Sequence, residues 1–513
     1  MDRADLSSAI IQEMQALVGE ALEAVIPEML RADLATLEQQ AQQVGRVLLG
    51  QLIEHVAAGR AQLLPRPVCC TDCGGHLKRQ ERPRHLVGLV GDYTLHRAYY
   101  WCAACQQGEA PLDGALGLGA GTVAPGLLRV VARATVETGF TPAVEQVQEA
   151  LGATLSDETA RRLAEQLGAV AEAQTQAAIA RAQQGQPVWA EAEVQSADDT
   201  TILAVEVDGV LVHQEASWRE MKVVTLAPLG PDLQTDPAHE RAQLAWGAAS
   251  YGVGTEEAEA FWWRVYVEAR RRGLGTAAVR TVVVLGDGAH WIWERVRPFL
   301  CLPGVEVVEI VDIYHAYQYL WAVGNALYGT GSLEAAAWVA PLKEQLSRHG
   351  AAPILTALAA LAPSTEEAVR AIADAQTYFT GNAARMDYPQ FAARQFPIGS
   401  GAVESACKGL VEARLKQAGM RWGVPGSQAI ASLRALQRSG RWAAFWQTHP
   451  DRQPAEPPHR VRQATTPAAH PAATAAPPGP APPPRVAAHA AARAAPRPKP
   501  TPAQRPLLLP RSA

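Results

Sequence analysis

From Ser7 to Gln62, apolar residues recur at intervals of three and four. The series runs Ile10, Ile11, Met14, Leu17, Val18 and Leu22, then Leu30, Leu34, Leu37, Val44, Leu48 and Leu52. That period is the stripe of an amphipathic helix. Pro27 lacks the amide that a helix interior uses, so the pattern predicts a break there and at least two helices. Packing or dimerisation is the ordinary use of such helices. In PVCCTDCGGHLKRQERPRHLVGLVGDYTLHRAYYWCAACQQG, the inner HLVGLVGDYTLHRAYYW alternates as paired strands do. Helical spacing returns in GFTPAVEQVQEALGATLSDETARRLAEQLG. There it predicts a helix from about Pro142, a turn at Gly152 and a second helix capped by Ser156 or Asp157. The size of this unit suits a helix-turn-helix, with Arg161 and Arg162 on the side that would read DNA.

Further along, TTILAVEVDGVLVH sets Leu203, Val205 and Val207 on one face of a strand, and Ala204, Glu206 and Asp208 on the other. WREMKVVTLAPL reads as a second strand, a third follows it, and AFWWRVYVEARRRGL reads as a helix. TVVVL is a buried strand that stops at Gly286 and releases Asp287 where a helix begins. VEVVEIVDIYHAYQYLWAV repeats the design, with Asp312 ending a strand and His315 one turn into a helix. The order is strand, strand, strand, helix, strand, helix, strand. A helix bearing Glu404 follows, opened by the small residues of FPIGSGAVESACK. An RNase H-like domain would require this order. The expected class is therefore multidomain α/β with helical regions.

Length and composition bound this picture. At 513 residues the chain exceeds one ordinary core. The longest apolar runs are strand-sized, so no membrane span is expected. MDRADLSSAIIQEMQAL carries acids where a secretory signal carries bases and has no continuous apolar stretch, so cytoplasmic residence is expected. A net charge of -5 excludes a uniformly basic nucleic-acid binder. From Asp451 to Ala513 there are nine Lys/Arg against two acids. This Pro/Ala-rich basic tail has too few apolar residues to bury a core and is expected to be disordered.

Five of the seven cysteines fall between Cys69 and Cys105. Cys70 and Cys73 form one Cys-x-x-Cys and Cys102 and Cys105 another, the spacing of a structural zinc ribbon, with Cys69 as a substitute for Cys70. Lys78, Arg79, Arg82 and Arg84 lie between the knuckles, where they would meet phosphates or form a solvated basic loop.

Taken singly, the acids have plain readings. Asp208-Gly209 and Asp287-Gly288 are turns, Asp312 is an N-cap, and Glu404 is a first-turn acid favoured by the helix dipole. Together, Asp208, Asp287 and Glu404 can hold two Mg²⁺ or Mn²⁺ ions about 4 Å apart for in-line phosphoryl transfer. Gly399, Ser400, Gly401 and Ala402 would then let a DNA backbone come close.

These residues carry a resemblance. CTDCGG, YYWCAAC, PLDGALGL, VDGV with WREMKV, GDGAHWIW, DIYHAYQYL, RMDYPQF and IGSGAVESACKGLVEARLKQAGMRW resemble bacterial insertion-sequence DDE transposases of the Kra group, which is distantly similar to Mutator-like transposases. The resemblance covers about Cys70 to Trp446. It implies that Asp208, Asp287 and Glu404 form the catalytic triad of an RNase H-like domain at 187–450, with a helical insertion at about 316–395. A helical region at 1–64, a zinc ribbon at 65–112, a helix-turn-helix-like region at 122–186 and a tail at 451–513 surround it. The implied activity is cleavage at terminal inverted repeats and joining of the freed 3'-OH to target double-stranded DNA, by a homo-oligomer on DNA. Asp312 and His315 would stand behind the triad, with His315 orienting Asp287 or a phosphate. Lys408, Arg414, Lys416 and Arg421 would contact phosphates. A noncatalytic zinc-ribbon DNA-binding protein and a structure-specific nuclease are the alternatives. The basic tail departs from the family pattern, and Asp198 and Asp199 compete with Asp208 for the first catalytic position.

Overall fold

The computed structural model describes residues 3–189, 202–215, 217–236 and 238–448. Asp198, Asp199 and the basic tail lie outside the described residues. Two helices open the chain, α1 (Arg3–Met29) and α2 (Leu34–Leu63), packed through Leu6 and Ile10 on Gly59. Pro27 does not break the first of them; it sits in its last turn. The break falls at Leu30 to Asp33, where the Asp33 carboxylate accepts the Thr36 N–H at 2.9 Å and starts α2.

Next comes a small antiparallel module. It contains β1 (Leu77–Glu81), β2 (Arg84–Gly88), β3 (Gly91–Leu95), β4 (Ala98–Cys102) and β5 (Gln107–Glu109). β4 lies between β1 and β5, and β2 pairs with β3 as a hairpin. A short helix, α3 (Pro111–Ala115), supplies Asp113, which receives Arg84 and Arg97, each at 2.8 Å. Arg84 is thereby tied into the module instead of facing solvent.

Three helices follow, α4 (Pro125–Glu137), α5 (Phe140–Leu151) and α6 (Asp157–Gln183). The turn stands where expected. Gly152 takes φ 65°, the left-handed conformation that ends a helix cheaply only with glycine, and the Ser156 hydroxyl accepts the Thr159 N–H at 3.1 Å.

The main sheet has the order β11-β10-β6-β7-β8, with β9 also on β7. Its strands are β6 (Ile202–Gln214), β7 (Ser217–Asp236), β8 (Arg241–Trp246), β9 (Ser250–Gly254), β10 (Thr281–Gly286) and β11 (Glu306–Val311). β6, β10 and β11 run parallel, while β7 is antiparallel to β6, β8 and β9. The parallel crossings carry α7 (Ala258–Arg271) and α8 (His290–Leu300), and α9 (Ile313–Tyr328) leaves the last strand. Leu203, Val205 and Val207 enter the larger apolar core with Phe261, Trp262 and Trp293. Full burial of each such side chain is worth about 1.5–3 kcal/mol.

The stretch after α9 is helical: α10 (Leu333–His349), α11 (Ala351–Ala359), α12 (Glu366–Asn382) and α13 (Tyr388–Ala393). The chain then returns to the sheet as α14 (Gly401–Ala406), a π-helical stretch Cys407–Glu412, and α15 (Ala413–Leu415). Val403, Cys407 and Leu410 pack there against Val210, Val212 and Met221 in a second apolar cluster. α16 (Val424–Arg438) crosses α6 so closely that a Cβ on Gly168 would lie 2.2 Å from the Ala429 carbonyl oxygen, and α17 (Trp442–Thr448) ends the described chain. No described helix is long and apolar enough to cross a membrane.

Candidate functional site

Register brings three aspartates to one level of the sheet. Leu285 pairs with Glu206 and Gly286 with Val311, so one or two residues further on Asp287 falls between Asp208 and Asp312. The Asp312 N–H closes the step by donating to the Gly286 carbonyl at 2.8 Å. Asp287 and Asp312 are released at the carboxyl ends of their strands, a favourable place for a site, while Asp208 stands midway along β6.

Each is held differently. Asp208 is half-buried; its Oδ1 accepts the Gly209 N–H at 2.7 Å and its Oδ2 faces the Cys407 thiol at 3.7 Å. Burial pushes its pKa up and the charge of Asp287 adds to that, against the lowering by the Gly209 N–H and His315. Asp287 Oδ1 accepts the Ala289 N–H at 2.9 Å, and its carbonyl accepts the Tyr378 hydroxyl at 2.9 Å. Gly288 takes φ 101° there, and a Cβ would lie 2.6 Å from the Tyr378 ring.

Asp312 is buried. Its Oδ1 caps α9 through the Tyr314 N–H at 2.7 Å, and its Oδ2 meets the Ser400 hydroxyl at 2.5 Å and His315 Nδ1 at 3.2 Å. Burial alone would raise its pKa, but the bonds from His315, Ser400 and Tyr314 outweigh it and lower it. His315 rises in turn, chiefly through its bond to Asp312, with the charges of Asp287 and Asp208 adding. The ring therefore orients Asp312 and makes no hydrogen bond to Asp287.

Glu404 lies on the exposed side of α14, ion-paired with Lys408 at 2.6 Å. Its helix and the residues flanking it are docked at three points, two on the Asp208 face of β6 and one at the end of β11. Ser400 reaches Asp312, Cys407 reaches Asp208, and Glu206 Oε2 accepts the Val403 N–H at 2.7 Å. Glu206 is a residue the sequence reading did not select, although it precedes Asp208 by two positions in an alternating strand and so shares its face. It is fully buried, its Oε1 has no hydrogen-bond partner, and burial pushes its pKa up to about 8. Asp208, Asp287 and Glu404 do not converge as a tight ligand cluster. Among the described residues, only cysteines place three or more ligand atoms within 4.8 Å of one another.

That cluster is Cys70, Cys73, Cys102 and Cys105. The Gly75 N–H points at Cys73 Sγ at 3.4 Å and the Cys105 N–H at Cys102 Sγ at 3.5 Å, the backbone cradle of a Cys-x-x-Cys knuckle. The Cys105 N–H is the main cause that lowers the Cys102 thiol to about 7. Four such sulfurs can hold a metal such as zinc. Cys69 is exposed, paired across a bridge to His76, and stands outside the group.

The basic candidates divide. Arg161 spends its guanidinium on Glu158 and Glu165, both at 2.6 Å, whereas Arg162 is exposed. Lys416 pairs with Glu412 at 2.6 Å, and Arg421 is exposed. Arg414 corrects the sequence reading: it is fully buried, donates through Nε to the Thr135 carbonyl at 2.8 Å, and lies over the Phe140 and Trp422 rings at 4.6 and 5.2 Å. Enclosed in this way, it braces the interior and does not meet phosphate. Neither a protein-family model nor a curated protein matches the chain.

Proposed function

We propose that the chain is a DDE transposase with an RNase H-like catalytic domain, which binds the terminal inverted repeats of an insertion sequence, cuts DNA there and joins the 3'-OH ends to target DNA. One observation carries this reading: β10 and β11 end at Asp287 and Asp312 at the level of Asp208, which lies midway along the parallel neighbour β6, and the helix of Glu404 is docked across β6. The strand order β11-β10-β6-β7-β9, with only β7 reversed, also supports the RNase H-like assignment.

The oxygen donors suit a hard divalent cation. Asp208 and Asp287 face one another as like charges, and Asp208 is pushed up in consequence of burial and that neighbour, which a cation between them would relieve. Asp208, Asp287 and Glu404 would hold Mg²⁺ or Mn²⁺, which when bound activates the attacking oxygen and stabilises the leaving one. Glu404 would first release Lys408. Asp312 keeps its place through Ser400 and His315, fixing the end of β11 beside Asp287. Cys70, Cys73, Cys102 and Cys105 would carry a structural zinc.

Purified protein with Mg²⁺ and DNA carrying the flanking repeats of its own reading frame should yield 3'-OH products that join to target DNA. Glu404→Gln should abolish cleavage and spare repeat binding. Cleavage indifferent to the repeats, or a fully active Glu404→Gln, would overturn the assignment.

A further inference from the structure

The three-stranded sheet of the cysteine module has two unlike faces. Pairing sets Lys78 opposite Trp101, Gln80 opposite Tyr99, and Gly108 opposite Trp101, so these five share one face. Arg82 continues that row and lies over the Tyr99 ring at 4.9 Å. The acids Glu81 and Glu109 fall on the other face, opposite Ala98 and Tyr100, where Tyr100 is buried. Charge is therefore sorted: Lys78 and Arg82 share one face with no acid on it, while both glutamates fall on the other, where Arg79 pairs with Glu81.

The face with the two cations also carries aromatic surface outside the apolar clusters, with the Tyr99 ring lying across Gly108, where a Cβ would approach it to 2.7 Å. Tyr99 and Trp101 lie near-parallel, 24° between planes and 6.5 Å between centroids. Both are only partly buried, and neither joins any of the apolar clusters of the described residues. Gly108, exposed beside them, adds no side chain to cover the rings. Lys78, Gln80 and Arg82 are exposed.

We propose that this face binds single-stranded DNA, with unpaired bases stacking on Tyr99 and Trp101 and the backbone phosphates held by Lys78 and Arg82. Duplex DNA fits it poorly, because bases already stacked in a helix have no free face to offer an aromatic ring. Unpaired bases have two. Stacking of this kind tolerates any sequence and is strengthened by adjacent cations. The proposal is independent of the carboxylate site and stands whether or not that site cuts DNA.

The test uses the full chain without added Mg²⁺, measuring anisotropy of a labelled oligothymidylate and of a duplex of equal length. Binding should favour the single strand. Tyr99→Ala with Trp101→Ala should weaken it at least tenfold with the zinc content unchanged, and Lys78→Gln with Arg82→Gln should flatten its dependence on salt. Should the alanine variants lose zinc, photocrosslinking of a halogenated oligonucleotide to the unaltered chain decides, with adducts expected on Tyr99 or Trp101. Duplex preference, wild-type affinity in zinc-replete alanine variants, or adducts confined to other elements would each overturn the proposal.

Discussion

Glu206 accepts the Val403 N–H at 2.7 Å, so the residue before Glu404 is tied to the strand of Asp208. The amide is a first-turn donor with no partner inside its own helix, and the carboxyl is fully buried. Glu206→Ala should cost about 1–3 kcal/mol by leaving that donor unsatisfied, while Glu206→Gln keeps an acceptor and should cost less. The pH dependence has a definite sign. A carboxyl raised from 4.5 to about 8 on folding contributes stability that is full below pH 4.5 and lost as pH rises through 8. Thermal melts between pH 5 and 9 should fall less steeply for Glu206→Gln than for the wild type; parallel curves would refute the buried protonated carboxyl.

A second buried acid has the opposite sign. Glu268 receives Arg441 at 2.9 Å and lies 3.8 Å from Arg271. Burial would raise its pKa, but the two guanidinium charges outweigh it and lower it below 4.5. Its contribution is present above pH 4.5 and lost as pH falls through the folded value. Arg441→Met should remove the nearer of its two guanidinium partners, leaving Arg271, and cost about 1–3 kcal/mol by denaturant unfolding at pH 7. In the same variant the loss should shrink at acid pH, where Glu268 is neutral.

Gly168 and Ala429 offer a purely steric test. A methyl at Gly168 would approach the Ala429 carbonyl to 2.2 Å, so the helices must separate. Gly168→Ala should destabilise by about 1–3 kcal/mol in spite of alanine's better helix propensity, read from the denaturation midpoint. A stabilised variant would contradict the close crossing of α6 and α16.

Metal analysis addresses the cysteines. One zinc per chain is expected, and Cys102→Ser should remove it while Cys69→Ser leaves it in place. Equal loss in both would mean that Cys69 takes part.

The elements that read clearly from the amino-acid order were those with a local cause. The strand-to-helix passages at Asp287 and Asp312, the Gly152 turn, and the Ser156 cap all appear where spacing and turn chemistry placed them. The two Cys-x-x-Cys knuckles converge as their spacing implied. What escaped depended on partners distant in the chain. Glu206 looked like one more polar position on a strand until Val403, 197 residues away, supplied its N–H. Arg414 looked like a surface cation until Thr135, 279 residues away, was seen to accept from it. Pro27 misled for another reason: it lies two residues before the end of α1, so the chain leaves the helix just after it and not at it.

The π-helical stretch Cys407–Glu412 works as a phase shifter. Its wider winding makes the residues after it lag behind an ordinary α-helical register, so one rod presents Glu404 outward at its start and turns Arg414 inward near its end. Because Arg414 is clamped to Thr135 on α4, the angular setting of the rod is indexed at the far end from its acid. Removing a single residue from this stretch would re-time the rod, and Glu404 and Arg414 could no longer both keep their places.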